Sequence, residues 1–248
     1  NNGLYCFNNS QRGRMMINVT VNQDPESNIF WNSVYETRDN WLDQPKDVAG
    51  RLLVEDGSPT ALCYADDIIL IGAAGKIYLS ADDGATWPIV WNSSARVAAI
   101  QSDPYNPNEI YFVTDQPFQR GSVFHGTIKY DPSSLGWFLS VDVLSTNLIG
   151  EVNNLAILSG GEREAPYLYV TMNDTRTDRG KGGPGVYEAR DLSAPYINWT
   201  RFGTGLPDAK IYDLQVIERR DNRKGDVLLV TLWGRGAWQS NTIYHEKF

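Results

Sequence analysis

Three observations predict an all-β fold, a β-propeller of four-stranded antiparallel blades. A strand-like stretch ending in tryptophan recurs along the chain. An Asp-Pro turn between two strands recurs in step with it. The 248 residues are 42% hydrophobic and 12% aromatic, enough to bury one all-β core or two smaller ones.

The first recurring element is "GKIYLSADDGATW" at 75–87. Its echoes are "NSVYETRDNW" (32–41), "GTIKYDPSSLGW" (126–137), "GVYEARDLSAPYINW" (185–199) and the shorter "GAWQSN" (236–241). Each begins with a small or polar residue and continues as an aromatic or β-branched strand. Most then turn at an acid before a tryptophan. The spacing, roughly fifty residues, is somewhat longer than that of most propeller blades.

The second element is "VNQDPESNIFW" (21–31), matched by "IQSDPYNPNEIYF" (100–112). Proline sets φ for the turn and removes an N–H that the turn does not need. Later turns, "LSGGEREAPYLYV" and "IERRDNRKGDVLLV", take the corresponding places. Each repeat therefore reads as four antiparallel strands, and radial packing of such blades protects their edges.

First, innermost strands are expected near 15–22, 60–65, 96–102, 151–158 and 210–217. One domain, 1–248, would then hold blades at about 11–45, 46–93, 94–144, 145–205 and 206–248. The last of these stops after its third strand, so the N-terminal 1–10 is expected to supply its outer strand, giving five blades.

Ser80, Asp82, Gly84, Thr86 and Trp87 match the Asp-box, or BNR repeat, at all five of its fixed positions. The chain resembles that superfamily of propellers, as in sialidase-like, xyloglucanase-like and sortilin-like proteins. "TGLPDAKIYDLQV" and "LLVTLWGRGAWQS" resemble stretches near the end of such propellers. The resemblance implies a hairpin at the outer rim of the blade. There Asp82 accepts turn amides, Gly84 takes a left-handed backbone and Trp87 packs between sheets. Asp82 is thus expected to be a staple and not a catalyst. The resemblance carries over no catalytic residue: "QRGRMMINV" (11–19) is not the Arg-Ile-Pro motif of sialidases.

Function is expected in the loops that the scaffold holds rigid. The two longest are "DQPFQRGSVFHG" (115–126) and "NDTRTDRGKGGPG" (173–185), with "WGRG" (233–236) beside them. They gather Arg120, His125, Arg176, Arg179, Lys181 and Arg235 in a chain of formal net charge −8. Arginine forks bind carboxylate, sulfate or phosphate, so an anionic glycan, uronic or sulfated, is one expected ligand. Phe118, Phe124 and Trp233 would stack on a sugar face. Solvated loop charge, partly neutralised by Asp115, Asp174 and Asp178, is the competing reading.

A second set, Arg96, Glu151 and Lys210, begins inner strands, with Asp213 close behind Lys210. Glu151 and Asp213 are the acid–base pair to test for a glycoside hydrolase or polysaccharide lyase. A network of alternating charge is the alternative. Whether the chain is an enzyme, a lectin or a protein-binding scaffold or assembly factor stays open at this level.

Acidic charge argues against a nucleic-acid partner. No run of eighteen apolar residues suggests membrane insertion. No metal-ligand spacing is found, and no cofactor is expected. Cys6 and Cys63 are expected on distant strands, so no disulfide is expected. Five Asn-x-Ser/Thr sequons, at Asn8, Asn18, Asn92, Asn173 and Asn198, favour a secreted or extracellular glycoprotein, with Asn92 and Asn173 as loop-borne acceptors.

Overall fold

A computed structural model describes residues 3–7, 15–24, 29–37, 46–47, 59–73, 75–115, 122–145, 148, 151–158, 166–173, 184–194, 197–203, 205–207, 209–217 and 226–240. As far as residue 59, this description is of the backbone alone. Among these residues every regular element is a strand. The fold is a β-propeller.

The first sheet joins β1 (Gly3–Phe7), β2 (Met15–Asp24), β3 (Ile29–Thr37) and β4 (Lys46–Asp47) in chain order. The second joins β5 (Pro59–Ala65), β6 (Ile68–Ala73), β7 (Lys76–Ser80) and β8 (Ile89–Asn92). The third holds β9 (Arg96–Ser102), β10 (Glu109–Asp115), β11 (Ser122–Asp131) and β12 (Gly136–Ser145). The fourth holds β13 (Val152–Leu158), β14 (Tyr167–Met172), β15 (Gly185–Ala189) and β16 (Thr200–Phe202). The fifth has three strands, β17 (Ile211–Ile217), β18 (Val227–Leu232) and β19 (Gly236–Gln239).

Four complete four-stranded blades are therefore present among the described residues, not the expected five. The N-terminal strand does not serve the last sheet. It pairs antiparallel with β2, Gly3 opposite Thr20 and Phe7 opposite Met16. The stretch at 15–24 accordingly takes second place in its sheet, where the sequence reading put it first. The physical reason is local: seven residues separate β1 from β2, so a hairpin closes with far less entropy loss than a pairing across the whole chain.

The chain forms two compact units, Asn1–Ile110 with Thr127–Ser140 and Tyr111–Gly126 with Val141–Phe248. In the first, β5 packs against β9. In the second, β13 packs against β17.

Second strands carry the core. In β6, β10 and β14 every residue but the first is buried. Successive side chains point to opposite faces, so both faces are covered, which explains the unbroken runs "IILIGA", "EIYFVTD" and "YLYVTM". Each fully buried leucine or isoleucine there contributes about 2 kcal/mol. Fourth strands are short in the first, second and fourth sheets and leave little edge to pair wrongly. Between the fourth and fifth sheets, Leu158, Tyr169, Ile211, Leu228 and Val230 form one apolar cluster.

Candidate functional site

In an antiparallel sheet the start of the first strand, the end of the second and the start of the third lie at one end. The first strands of three sheets share a device at that end. Register slips by one residue between Pro59 and Ala61, between Val152 and Asn154, and between Ile211 and Asp213. Each slip is a β-bulge that re-aims one side chain: Thr60, Asn153 and Tyr212.

These three side chains are used differently. Thr60 Oγ1 donates to the carbonyl of Val97 and lies 3.3 Å from that of Gly72. Asn153 Oδ1 accepts from Thr171 Oγ1 at 2.9 Å. Tyr212 instead is 59% exposed, its ring tilted at 32° to that of Trp233 with centroids 5.7 Å apart. Trp233, just past β18, is 67% exposed.

The backbone beneath this aromatic pair is pinned. Trp233 N–H donates to Lys210 O at 2.8 Å, and Asn154 Nδ2 donates to Tyr212 O at 3.0 Å. Asn173, after β14, donates through Nδ2 to Ile211 O at 2.8 Å and accepts from Ile211 N at 2.7 Å. Its own N–H donates to Glu151 O at 3.0 Å. One buried amide thus joins the start of β13 to the start of β17.

The three-residue turn after β18 completes the rim. Gly234 and Gly236 take φ of 67° and 77°, the left-handed region that favours glycine. Arg235 stands exposed between them, its N–H reaching Leu232 O at 3.3 Å and its carbonyl accepting from Trp238 Nε1 at 3.1 Å. Lys210 is exposed and Glu151 is half-buried. Two aromatic faces, two cations and a carboxylate therefore occupy the same end of two packed sheets.

Not every expected site residue joins them. Asp213 follows the bulge, but its carboxylate is held along its own strand: Oδ1 accepts from Leu214 N–H and Oδ2 from Gln215 Nε2, each at 2.9 Å. Arg96 is exposed at the start of β9. His125 and Phe124 were expected in a loop but lie on β11, where alternation continues through "SVFHGTIKYD". Phe124 stacks on buried Phe112 at 4.9 Å and 10°, and His125 on Tyr111 at 5.0 Å. Phe124 is thus half-buried with one ring face against a core phenylalanine. Arg120, Arg176, Arg179, Lys181 and Phe118 lie outside the described residues.

The sequon asparagines also separate. Asn92 is exposed at the end of β8. Asn173 is 6% exposed with its amide nitrogen committed to Ile211, so the expectation of a glycan there is corrected. The sequence showed a polar loop beginning at Asn173, whereas the β14 strand ends one residue before it and buries it.

The Ser80–Trp87 hairpin, between β7 and β8, is a closed hydrogen-bonded unit. Ser80 Oγ donates to Asp82 Oδ1 at 2.8 Å and accepts from Gly84 N–H at 2.8 Å. Thr86 donates to Asp82 twice, N–H to Oδ1 at 2.9 Å and Oγ1 to Oδ2 at 2.6 Å. Trp87 Nε1 donates to Gly84 O at 3.0 Å. Gly84 has φ of 87°. The Thr86 and Ser80 bonds hold the Asp82 carboxyl at about 2. Asp82 is exposed.

Two eroded copies keep the same acid. Asp131 accepts from Ser133 N–H and from the hydroxyls of Ser133 and Ser134, and Asp191 accepts from Ser133's counterpart, Ser193, through N–H and hydroxyl. These bonds, the serine hydroxyl foremost, lower both carboxyl pKa values. Staples recur where catalysis would need an open carboxylate.

A cavity of about 140 Å³ lies toward the opposite end of the fifth sheet, lined by Val186, Phe202, Leu206, Leu228, Val230 and Trp238 among others. Among the described residues no titratable side chain lines it. Among the described residues no group of three or more His, Cys, Asp or Glu side chains is placed to hold a metal ion, and no helix is long and apolar enough to cross a membrane.

No known family and no curated protein matches the sequence. Solved structures do resemble the fold. A nidogen/laminin complex chain aligns with TM-score 0.55 at 11% identity, over 92% of this chain and 70% of that one. A Hadza microbial sialidase aligns with TM-score 0.52 at 14% identity, over 92% and 52%. A GH74 enzyme of Niastella koreensis aligns with TM-score 0.56 at 12% identity, over 90% and 36%. This chain therefore spans about half of the sialidase and about a third of the GH74 enzyme. At such identities the likeness is one of fold.

Proposed function

We propose that this chain is an extracellular β-propeller of the Asp-box superfamily that recognises carbohydrate, an acidic glycan above all, at the rim of its fourth and fifth sheets. The observation that carries this reading is the pinned rim itself, where exposed Trp233, Arg235 and Lys210 stand with half-buried Glu151. Aromatic rings offer a sugar its apolar face, and a guanidinium reads a carboxylate or sulfate bidentately. Carbohydrate-active enzymes among the fold's neighbours agree with it. Arg120, Arg176, Arg179 and Lys181 would extend the same anion-reading surface, Arg96 and His125 are separate candidates, and Asn92 is the glycan acceptor in this reading.

Should the bound glycan be cleaved, Glu151 and Asp213 are the carboxyl pair, and Glu151 is the more available because Asp213 is engaged by Leu214 and Gln215. A glycan array rich in uronic and sulfated sugars tests the reading. Hits that weaken with salt and with R235A support it. An array without hits, together with capture of a defined protein partner, would replace it with the scaffold reading. Loss of turnover in E151Q with intact folding would make the protein an enzyme.

A further inference from the structure

We infer that Tyr212 and Trp233 form a seat for the apolar face of a uronic sugar, with Arg235 meeting its carboxylate. The inference rests on the carbohydrate reading and narrows it to one ligand chemistry and one seat. Tyr212 is the residue that the sequence pattern left out.

The bulge argument is the strongest. At the equivalent position in β5 and β13 the re-aimed side chain is polar and consumed by internal hydrogen bonds. In β17 it is an aromatic ring that leaves more than half its surface to solvent while touching a second ring that does the same. Two exposed rings in contact, rimmed by charged groups, make the kind of contiguous apolar patch that marks a ligand site. Tyrosine and tryptophan give large contact area for few rotatable bonds, so little ordering entropy opposes binding.

The occupant follows from chemistry. Ring faces carry negative quadrupole density that suits the C–H face of a pyranose. Arg235 belongs to the same turn as Trp233, whose backbone is fixed on both sides. A guanidinium there meets a carboxylate with two parallel hydrogen bonds, which a neutral sugar cannot return. A proline-rich peptide would use the rings but leave the cation idle.

Calorimetric titration of the full chain with hexagalacturonate, its fully methyl-esterified form and a hexaproline peptide tests this, with thermal melting to verify that each variant folds. Hexagalacturonate is expected to bind and to shift the tryptophan fluorescence in wild type but not in W233F. Y212A is expected to weaken it about tenfold, the scale of one lost aromatic contact with its area, while Y212F binds like wild type. R235A is expected to weaken hexagalacturonate and leave the ester unchanged. Undiminished binding by folded Y212A would overturn the seat while the carbohydrate reading stands. Binding of sulfated glycans but not hexagalacturonate would do the same. Binding of hexaproline without any sugar, lost in Y212A, would assign the rings to a peptide and end the proposal.

Discussion

The second and fifth sheets build the same bulge and spend it in opposite ways. In β5 the re-aimed Thr60 is drawn inward and bonds to Val97, and the surroundings leave no room for more. A Cβ on Gly72 would come within 2.7 Å of Val97 Cγ1, and one on Gly75 within 1.9 Å of Ser93 O. Gly72 packs on the Val97 side chain and Gly75 on the Ser93 backbone. In β17 the same slip presents Tyr212 to solvent beside Trp233, and all four residues of β19 are exposed. Bulges thus recur in this chain, and the residue placed on one turns inward in β5 and stands in solvent in β17.

That contrast makes ordered demands on mutants. The largest effect is expected for N173A, which strips both partners from the buried Ile211 amide and carbonyl. Each orphaned group costs on its own, so denaturant unfolding should show a loss of about 3 kcal/mol. G75A comes next, because Ser93 O must move away from a new methyl, and chemical denaturation should report a loss of about 2 kcal/mol. D82A should lower the melting midpoint by a few degrees and leave ligand binding untouched.

The pH dependence has a definite sign. Asp82 binds its proton less readily in the folded state, with a pKa of about 2 against the ordinary 3.8. Its stabilisation is therefore present above the ordinary value and is lost as pH falls from there through about 2. Wild type and D82A should converge in stability across that window. The smallest effect is expected for Y169F. The Tyr169 hydroxyl is buried without a hydrogen-bond partner among the described residues, and burial, with Glu188 adding to it, pushes the phenol pKa upward. Removing that oxygen should leave stability unchanged or raise it by up to about 1 kcal/mol in thermal melts.

Much of this was readable from residues alone. The all-β class and the Ser80–Trp87 hairpin follow from period-two patterning and turn chemistry, which are local. The partner of the first strand was not readable in the same way. Its pattern suits any edge, and only the short separation from β2 favours the hairpin. The site was half legible. Trp233 and Arg235 were named from the loop at 233–236, and Lys210 and Glu151 from their places at strand starts. Tyr212 was missed although a signal existed: Val152 to Leu155 and Ile211 to Leu214 are buried pairs three apart, a spacing that strict alternation forbids and a bulge requires. Asn173 was misread because a polar residue at a strand end looks the same whether it faces water or fastens a neighbouring sheet.

The division of labour between closed and open bulges is tested most directly by measuring stability and hexagalacturonate affinity side by side for T60A and Y212A. T60A should lose about 1 kcal/mol of stability and keep wild-type affinity, while Y212A keeps stability and loses affinity. Equal responses of the two variants in either measurement would contradict it.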